Sequence, residues 1–201
     1  MIAIIDYGMG NLGSIQNMFK KIGVTSVITS DKDVILDSEK LLLPGVGSFD
    51  RAMSNLEELD LIETINVKAD KKCPILGICL GMQLLATKSE EGKLSGLGLI
   101  PGEVKYFKLP AHYKVPHMGW NLVEYQESPL FMNFDTLDET RFYFVHSYYF
   151  ECVNPLHAIG FTNYGVDFTS VIQKGNIFGA QFHPEKSHKF GMLMLENFSK
   201  I

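Results

Sequence analysis

Pro74-Ile75-Leu76-Gly77-Ile78-Cys79-Leu80-Gly81-Met82-Gln83-Leu84-Leu85 reads as a buried strand running straight into a helix, with a cysteine at the junction. Residues 74–78 form a short, nearly continuous apolar run, the pattern of a strand covered on both faces of a parallel sheet. Glycines two before and two after Cys79 permit the tight strand-to-helix turn that lifts a side chain above such a sheet. The helix is expected over residues 80–87. Upstream, residues 2–6, 24–29 and 40–43 repeat the strand pattern. Between them lies a helical stretch over 14–22, with Ile15, Met18, Phe19 and Ile22 at spacings of three and four and Gly23 as its stop. Further helical patterns cover 50–56 and 61–69. This βαβα order predicts an α/β fold with a doubly wound, mostly parallel sheet flanked by helices.

Downstream the character changes. Residues 103–107, 114–118, 141–150, 156–162, 170–173 and 176–182 are strand-like, separated by Gly, Pro and Asn turns, and Lys174-Gly175-Asn176 suits a hairpin. An amphipathic helix over 189–200 follows. A β-rich C-terminal half on one domain, residues 1–201, without repeats or a linker, is the expected architecture.

Composition narrows the function classes. The 201 residues are 46% hydrophobic and 20% charged, with mean hydropathy +0.06. That balance excludes a disordered or collagen-like chain, and a chain of this size buries roughly 70% of its unfolded surface without needing disulfides or a metal. Eighteen basic against twenty-three acidic side chains give a net charge of −5, the wrong sign for a general nucleic-acid binder. Cys73, Cys79 and Cys152 are odd in number and follow no metal-ligand spacing; no metal and no cofactor are expected. The N-terminus has no basic region and meets Asp6 early, unlike a signal peptide, and no apolar run approaches the ~18–20 residues of a membrane span. The expected location is the cytoplasm.

Four motifs carry chemistry. Gly8-Met9-Gly10-Asn11-Leu12-Gly13 fits a dinucleotide fingerprint after the first strand. Its partner acid should end the second strand, whereas Asp31, in Ser30-Asp31-Lys32-Asp33, looks like the cap of a following helix; the match is a decoy. Cys79 at its elbow is either a small buried hydrophobe or a nucleophile, and the flanking glycines favour the second. A helix start beside the sulfur lowers a thiol pKa and presents N–H groups to an oxyanion. A thiolate needs a base, and six histidines are available. His183 ends a strand, is held extended by Pro184, and has Glu185 close enough to orient it, so Cys79, His183 and Glu185 would be nucleophile, base and orienter. His146 is the rival base; His117 is either a core histidine or a surface contact. Pro44-Gly45-Val46-Gly47 ends the third strand and is either a plain turn or the other wall of a crevice at the strands' carboxyl ends, its glycines allowing the peptide orientations of an oxyanion hole.

Gly77-Ile78-Cys79-Leu80-Gly81-Met82-Gln83 together with Gln181-Phe182-His183-Pro184-Glu185-Lys186-Ser187 resembles the class I, triad-type glutamine amidotransferases. Asp6-Tyr7-Gly8-Met9-Gly10-Asn11-Leu12, Pro44-Gly45-Val46-Gly47 and Pro116-His117-Met118-Gly119-Trp120-Asn121 narrow the likeness to the glutaminase-subunit family of imidazole glycerol phosphate synthases, nearly end to end. The resemblance implies that Cys79 attacks the glutamine amide, His183 shuttles the proton and Glu185 orients His183. It implies an oxyanion hole from the N–H groups of Leu80 and, after loop rearrangement, Val46. It sets Gly47, Gln83, Glu91, Ser147 and Tyr148 around glutamine. It also implies a heterodimer with a (βα)₈-barrel cyclase that receives the ammonia and converts N′-phosphoribulosyl-formimino-AICAR-phosphate (PRFAR) to imidazole glycerol phosphate and AICAR in histidine biosynthesis. The loop over 8–13 becomes an interface loop, with Asn11, Trp120, Tyr143 and Lys186 as contact positions.

Two other outcomes share the same motifs. Similar subunits occur as second copies that supply ammonia to surface-polysaccharide or flagellar sugars, and the run 187–192 resembles those copies. A stand-alone glutamyl hydrolase shares the elbow, His and Glu, but has no use for the aromatic 116–121 surface.

Overall fold

The computed structural model describes residues 1–137 and 139–201. In chain order its strands and helices are β1 (Ile2–Ile5), α1 (Leu12–Lys21), β2 (Ser26–Thr29), α2 (Lys32–Asp37), β3 (Lys40–Leu43), α3 (Phe49–Glu58), α4 (Leu61–Asp70), β4 (Ile75–Ile78) and α5 (Leu80–Leu84). There follow β5 (Lys88–Ser89), β6 (Gly102–Tyr106), β7 (His117–Leu122), β8 (Glu124–Tyr125), β9 (Arg141–His146), β10 (Tyr148–Cys152), β11 (Ala158–Asn163), β12 (Asp167–Lys174), β13 (Ile177–Ala180) and α6 (His188–Lys200).

β2, β1, β3, β4 and β13 lie side by side in that order, all parallel. The sheet continues antiparallel through β12, β10 and β6, with β11 branching from β12 and β8 pairing with β11. Side chains alternate across a strand, so each central strand feeds two cores. Ile2 and Ile4 of β1 join Leu42, Leu76 and Phe178 on one face, under Ile15 and Phe19 of α1 and Met194 and Phe198 of α6. Ala3 and Ile5 join Leu41, Leu43 and Ile75 on the other, under Phe49 and Leu56 of α3 and Ile65 of α4. Both faces are covered, which is why these strands read as continuous apolar runs.

Asp31 caps α2: its Oδ1 accepts from the N–H groups of Asp33 (2.9 Å) and Val34 (3.2 Å). This carboxylate is committed to a helix start and not to a ribose. Asp31→Ala should therefore cost about 1 kcal/mol of stability, read as a lower urea midpoint; an unchanged midpoint would remove the cap from the account.

Two expected strands differ. Residues 141–150 form two strands, not one. β9 pairs antiparallel with β7 in a separate two-stranded sheet, whereas β10 pairs with β6 in the main sheet. The chain changes sheets at Ser147, whose carbonyl accepts from Phe107 N–H. The expected strand over 114–118 begins only at His117, because Pro116 has no N–H to give a ladder. The helix expected over 80–87 is a single short piece, α5.

Candidate active site

The parallel strands β1, β3, β4 and β13 deliver their carboxyl ends to one edge of the sheet, where open α/β sheets bind ligands. β4 ends in Cys79, which holds φ 53° and ψ −111° before α5 begins. That left-handed backbone is uncommon for a side-chain-bearing residue and is fixed by its neighbours: Cys79 N–H donates to Ala180 O (2.7 Å) and Gln83 N–H to Cys79 O (3.2 Å). β3 ends in the loop 44–47, which packs on the elbow. A Cβ on Gly45 would stand 2.9 Å from Leu80 Cβ and 3.0 Å from Gly81 N. Buried Tyr7, after β1, ties the loop down by donating to Pro44 O at 2.5 Å. Burial and the nearby Cys79 charge push the Tyr7 hydroxyl pKa up, so it stays a donor.

β13 leads to His183. Its Nδ1–H donates to Glu185 Oε1 at 2.8 Å, and both side chains are 2% exposed. Ser187 stitches this segment: its hydroxyl donates to His183 O (2.6 Å) and accepts from Tyr143 N–H (3.0 Å). His183 Nε2 is buried without a hydrogen-bond partner, as is Glu185 Oε2; Nε2 is thus the ring atom left for chemistry. Burial lowers the His183 pKa, but Cys79 and Glu185 more than offset it and raise it to about 10. His183 therefore favours its imidazolium form.

A cavity of about 290 Å³ opens here, lined by Val46, Gly47, Cys79, Leu80, Gln83, Glu91, Val145, His146, Ser147, Tyr148 and His183. Every residue that the sequence suggested as nucleophile, base, oxyanion donor or glutamine contact lines it. Glu185 stands behind His183. Leu80 is the first residue of α5, so its N–H is not taken by the helix ladder. Glu91 accepts from Phe49 N–H at the start of α3 (3.0 Å). Its half-burial raises the carboxyl pKa, partly countered by that bond. Asp50 pins the chain just beyond, accepting from Lys93 and Leu94 N–H at 2.9 and 3.0 Å.

His146, the rival base, lines the cavity but is committed elsewhere. Its Nδ1 lies 2.7 Å from Tyr148 O and must donate, leaving Nε2 as acceptor. His117 Nδ1–H donates to it at 2.9 Å, and His117 Nε2 accepts from Asn121 Nδ2 at 3.2 Å. Both rings are neutral. Burial lowers His146 to about 3 and His117 to about 4. His117 is therefore a core histidine, stacked on Tyr164 with centroids 4.0 Å apart. The sign of the linkage follows. Below pH ~6.5 the unfolded histidines bind protons that the folded ones refuse, so stability falls as pH drops from 6.5 toward 4 by up to about 1.4 kcal/mol per pH unit per histidine. Urea midpoints that stay level between pH 7 and pH 5 would contradict this.

The remaining expected contacts form an outer surface. Trp120 is 43% exposed, as are its strand-mates Met118 and Leu122 at 60% and 52%. Trp120 pairs in register with Tyr143, and Lys186 Nζ sits 5.7 Å over the Tyr143 ring. Asn11 is exposed at the start of α1. Three contacts lay beyond the sequence reading: the parallel stack of His188 on Trp120 at 5.6 Å; the hydrogen-bonded His117–His146 chain; and the approach of Gln181 to Cys79. Gln181 lay inside the quoted motif, two residues before His183, and that position was the one signal available.

The family model for class-I glutamine amidotransferases matches residues 3–201. The chain belongs to that family. It is 54% identical over 201 residues to imidazole glycerol phosphate synthase subunit HisH 2 of Methanococcus maripaludis, covering 100% of this chain and 99% of the relative. It is 45% identical over 206 residues to subunit HisH of Bdellovibrio bacteriovorus, covering all of both. Among solved structures, PurLQS from Thermotoga maritima superposes with a TM-score of 0.76 at 18% identity, covering 99% of this chain and 97% of that one. A glutamine amidotransferase crystal structure gives 0.76 at 15% identity with full coverage of both. The last two show the shared amidotransferase fold. Among the described residues no helix is long and apolar enough to cross a membrane, and no cluster of three or more His, Cys, Asp or Glu could hold a metal.

Proposed function

We propose that this chain is the glutaminase subunit of an imidazole glycerol phosphate synthase. The observation that carries the reading is the single cavity in which Cys79, His183 and the expected glutamine contacts meet, in a chain 54% and 45% identical to HisH subunits over its whole length. The Cys79 sulfur attacks the side-chain amide carbon of glutamine, and the oxyanion is held by Leu80 N–H and, after the loop turns, Val46 N–H. His183 gives a proton to the departing nitrogen, so ammonia leaves as the γ-glutamyl thioester forms. Water, deprotonated by His183, then attacks the thioester carbon; glutamate and the thiol are restored. Glu185 holds His183 in register through Nδ1. Glu91 faces the α-ammonium, with Gly47, Gln83, Ser147 and Tyr148 around the rest of the substrate.

The apolar outer face of β7, with Asn11, Tyr143 and Lys186, supports docking of a (βα)₈-barrel cyclase in a cytoplasmic heterodimer. Ammonia passes to PRFAR there, giving imidazole glycerol phosphate and AICAR in histidine biosynthesis. One amidotransferase unit over 1–201 accounts for the glutaminase half. The test is glutamate release from glutamine by the chain alone and with a histidine-pathway cyclase plus PRFAR. Stimulation of about tenfold or more is expected, as coupling free energies of about 1–3 kcal/mol give; equal rates with and without the liganded cyclase would refute the coupling. A second reading, ammonia supply to a nitrogen-containing surface sugar, draws on His188. Its stack on Trp120 puts His188, from the run 187–192, on the docking face. Silence with the cyclase and activity with a sugar-pathway partner would favour that reading.

A further inference from the structure

Gln181 is fully buried beside the nucleophile. Its Nε2 lies 3.8 Å from Cys79 Sγ, and its Oε1 accepts from Gln83 Nε2 at 3.0 Å. Gln83 Nε2 also donates to Tyr148 O at 3.1 Å, the same carbonyl that takes the His146 Nδ1–H. These contacts assign both amides. Tyr148 O is an acceptor only, so the Gln83 atom facing it is the NH₂ group. The Gln181 atom facing that NH₂ must then be the oxygen, which turns the Gln181 NH₂ group toward sulfur. A flip of either amide would set like dipoles against each other in a buried site.

We propose that Gln181 is a positioning residue for the nucleophile: its amide N–H, locked in direction by Gln83, holds the Cys79 sulfur in place and stabilises it as thiolate. This rests on Cys79 being the nucleophile. The other groups facing the sulfur are the Val145 carbonyl, to which the thiol donates at 3.9 Å, His183, backed by Glu185, and Tyr7 from the β1 loop; Glu91 and neutral His146 stand on the cavity wall. A neutral donor on a charged acceptor makes a stronger bond than one on the neutral thiol, so its loss should show in the thiolate equilibrium and not only in packing.

The experiment measures alkylation of Cys79 by iodoacetamide against pH, read on the Cys79 peptide by mass spectrometry so that Cys73 and Cys152 do not contribute. Gln181→Met removes the donor at similar size. Gln181→Asn keeps an amide for Gln83 but withdraws it from sulfur, and serves if the Met variant does not fold. Either folded variant should raise the alkylation midpoint by about one pH unit and slow alkylation at pH 7 about tenfold. Glutamine turnover should fall more at pH 7 than at pH 9. Unchanged midpoints in the folded variants would overturn the proposal and leave Gln181 as packing. Wild-type protein that keeps releasing glutamate after complete Cys79 alkylation would instead overturn the reading of Cys79 as nucleophile.

Discussion

Cys79→Ala should abolish glutamate release, with a loss of about 10⁴-fold or more, because no other group in the cavity can form the thioester. Glutamine should still bind, since Glu91, Gln83 and the Ser147–Tyr148 wall are untouched, and binding of the cyclase should persist. Isothermal titration with glutamine and pull-down with the cyclase separate these from turnover. Glu185→Ala tests the same unit from behind. It leaves His183 Nδ1 without its 2.8 Å acceptor and should lower turnover sharply while the fold remains. Retention of even a tenth of wild-type glutaminase activity by Cys79→Ala would sink the thioester route.

Gly81→Ala should be the most damaging single-methyl substitution at the elbow. A Cβ there would lie 1.8 Å from Leu43 O and 2.7 Å from Leu43 C. Both are backbone atoms of β3, a strand buried between β1 and β4, so neither can step aside as a flexible side chain would. Relief requires prising α5 off β3, which moves Cys79 away from the Val46 lip and from His183 together. The expected cost is about 4 kcal/mol or more, against a total stability of about 5–15 kcal/mol. That corresponds to a fall in Tm of about 10 °C or more for a chain of this length. Differential scanning calorimetry decides it: a Tm within a few degrees of wild type would mean that the elbow has slack.

Much of this was legible because it is local. The continuous apolar runs of β1, β3 and β4 announced strands covered on both faces. Glycines around Cys79 announced an elbow, and Asp31 announced a helix cap. His183 and Glu185 could be paired because Pro184 holds His183 extended and Glu185 follows two residues on. What failed were readings that needed to know a neighbour. Residues 141–150 have one unbroken strand composition, yet 141–146 answer to β7 and 148–150 to β6. Residues 114–116 look strand-like, but Pro116 leaves no donor there.

The histidines show the boundary best. By itself the sequence determined the order of elements, both covered faces of the central sheet and the elbow that carries Cys79, because these follow from side-chain periodicity and backbone sterics within a few residues. Only the tertiary structure decided that His183 is the ring with a free Nε2 and that His146 has none. That choice depends on where protons sit along Asn121, His117, His146 and the Tyr148 carbonyl, groups brought from β7, β9 and β10. It equally decided that Gln181 touches sulfur. A proton's position is set by the donors and acceptors around it, and in a folded chain those come from segments the local pattern does not connect.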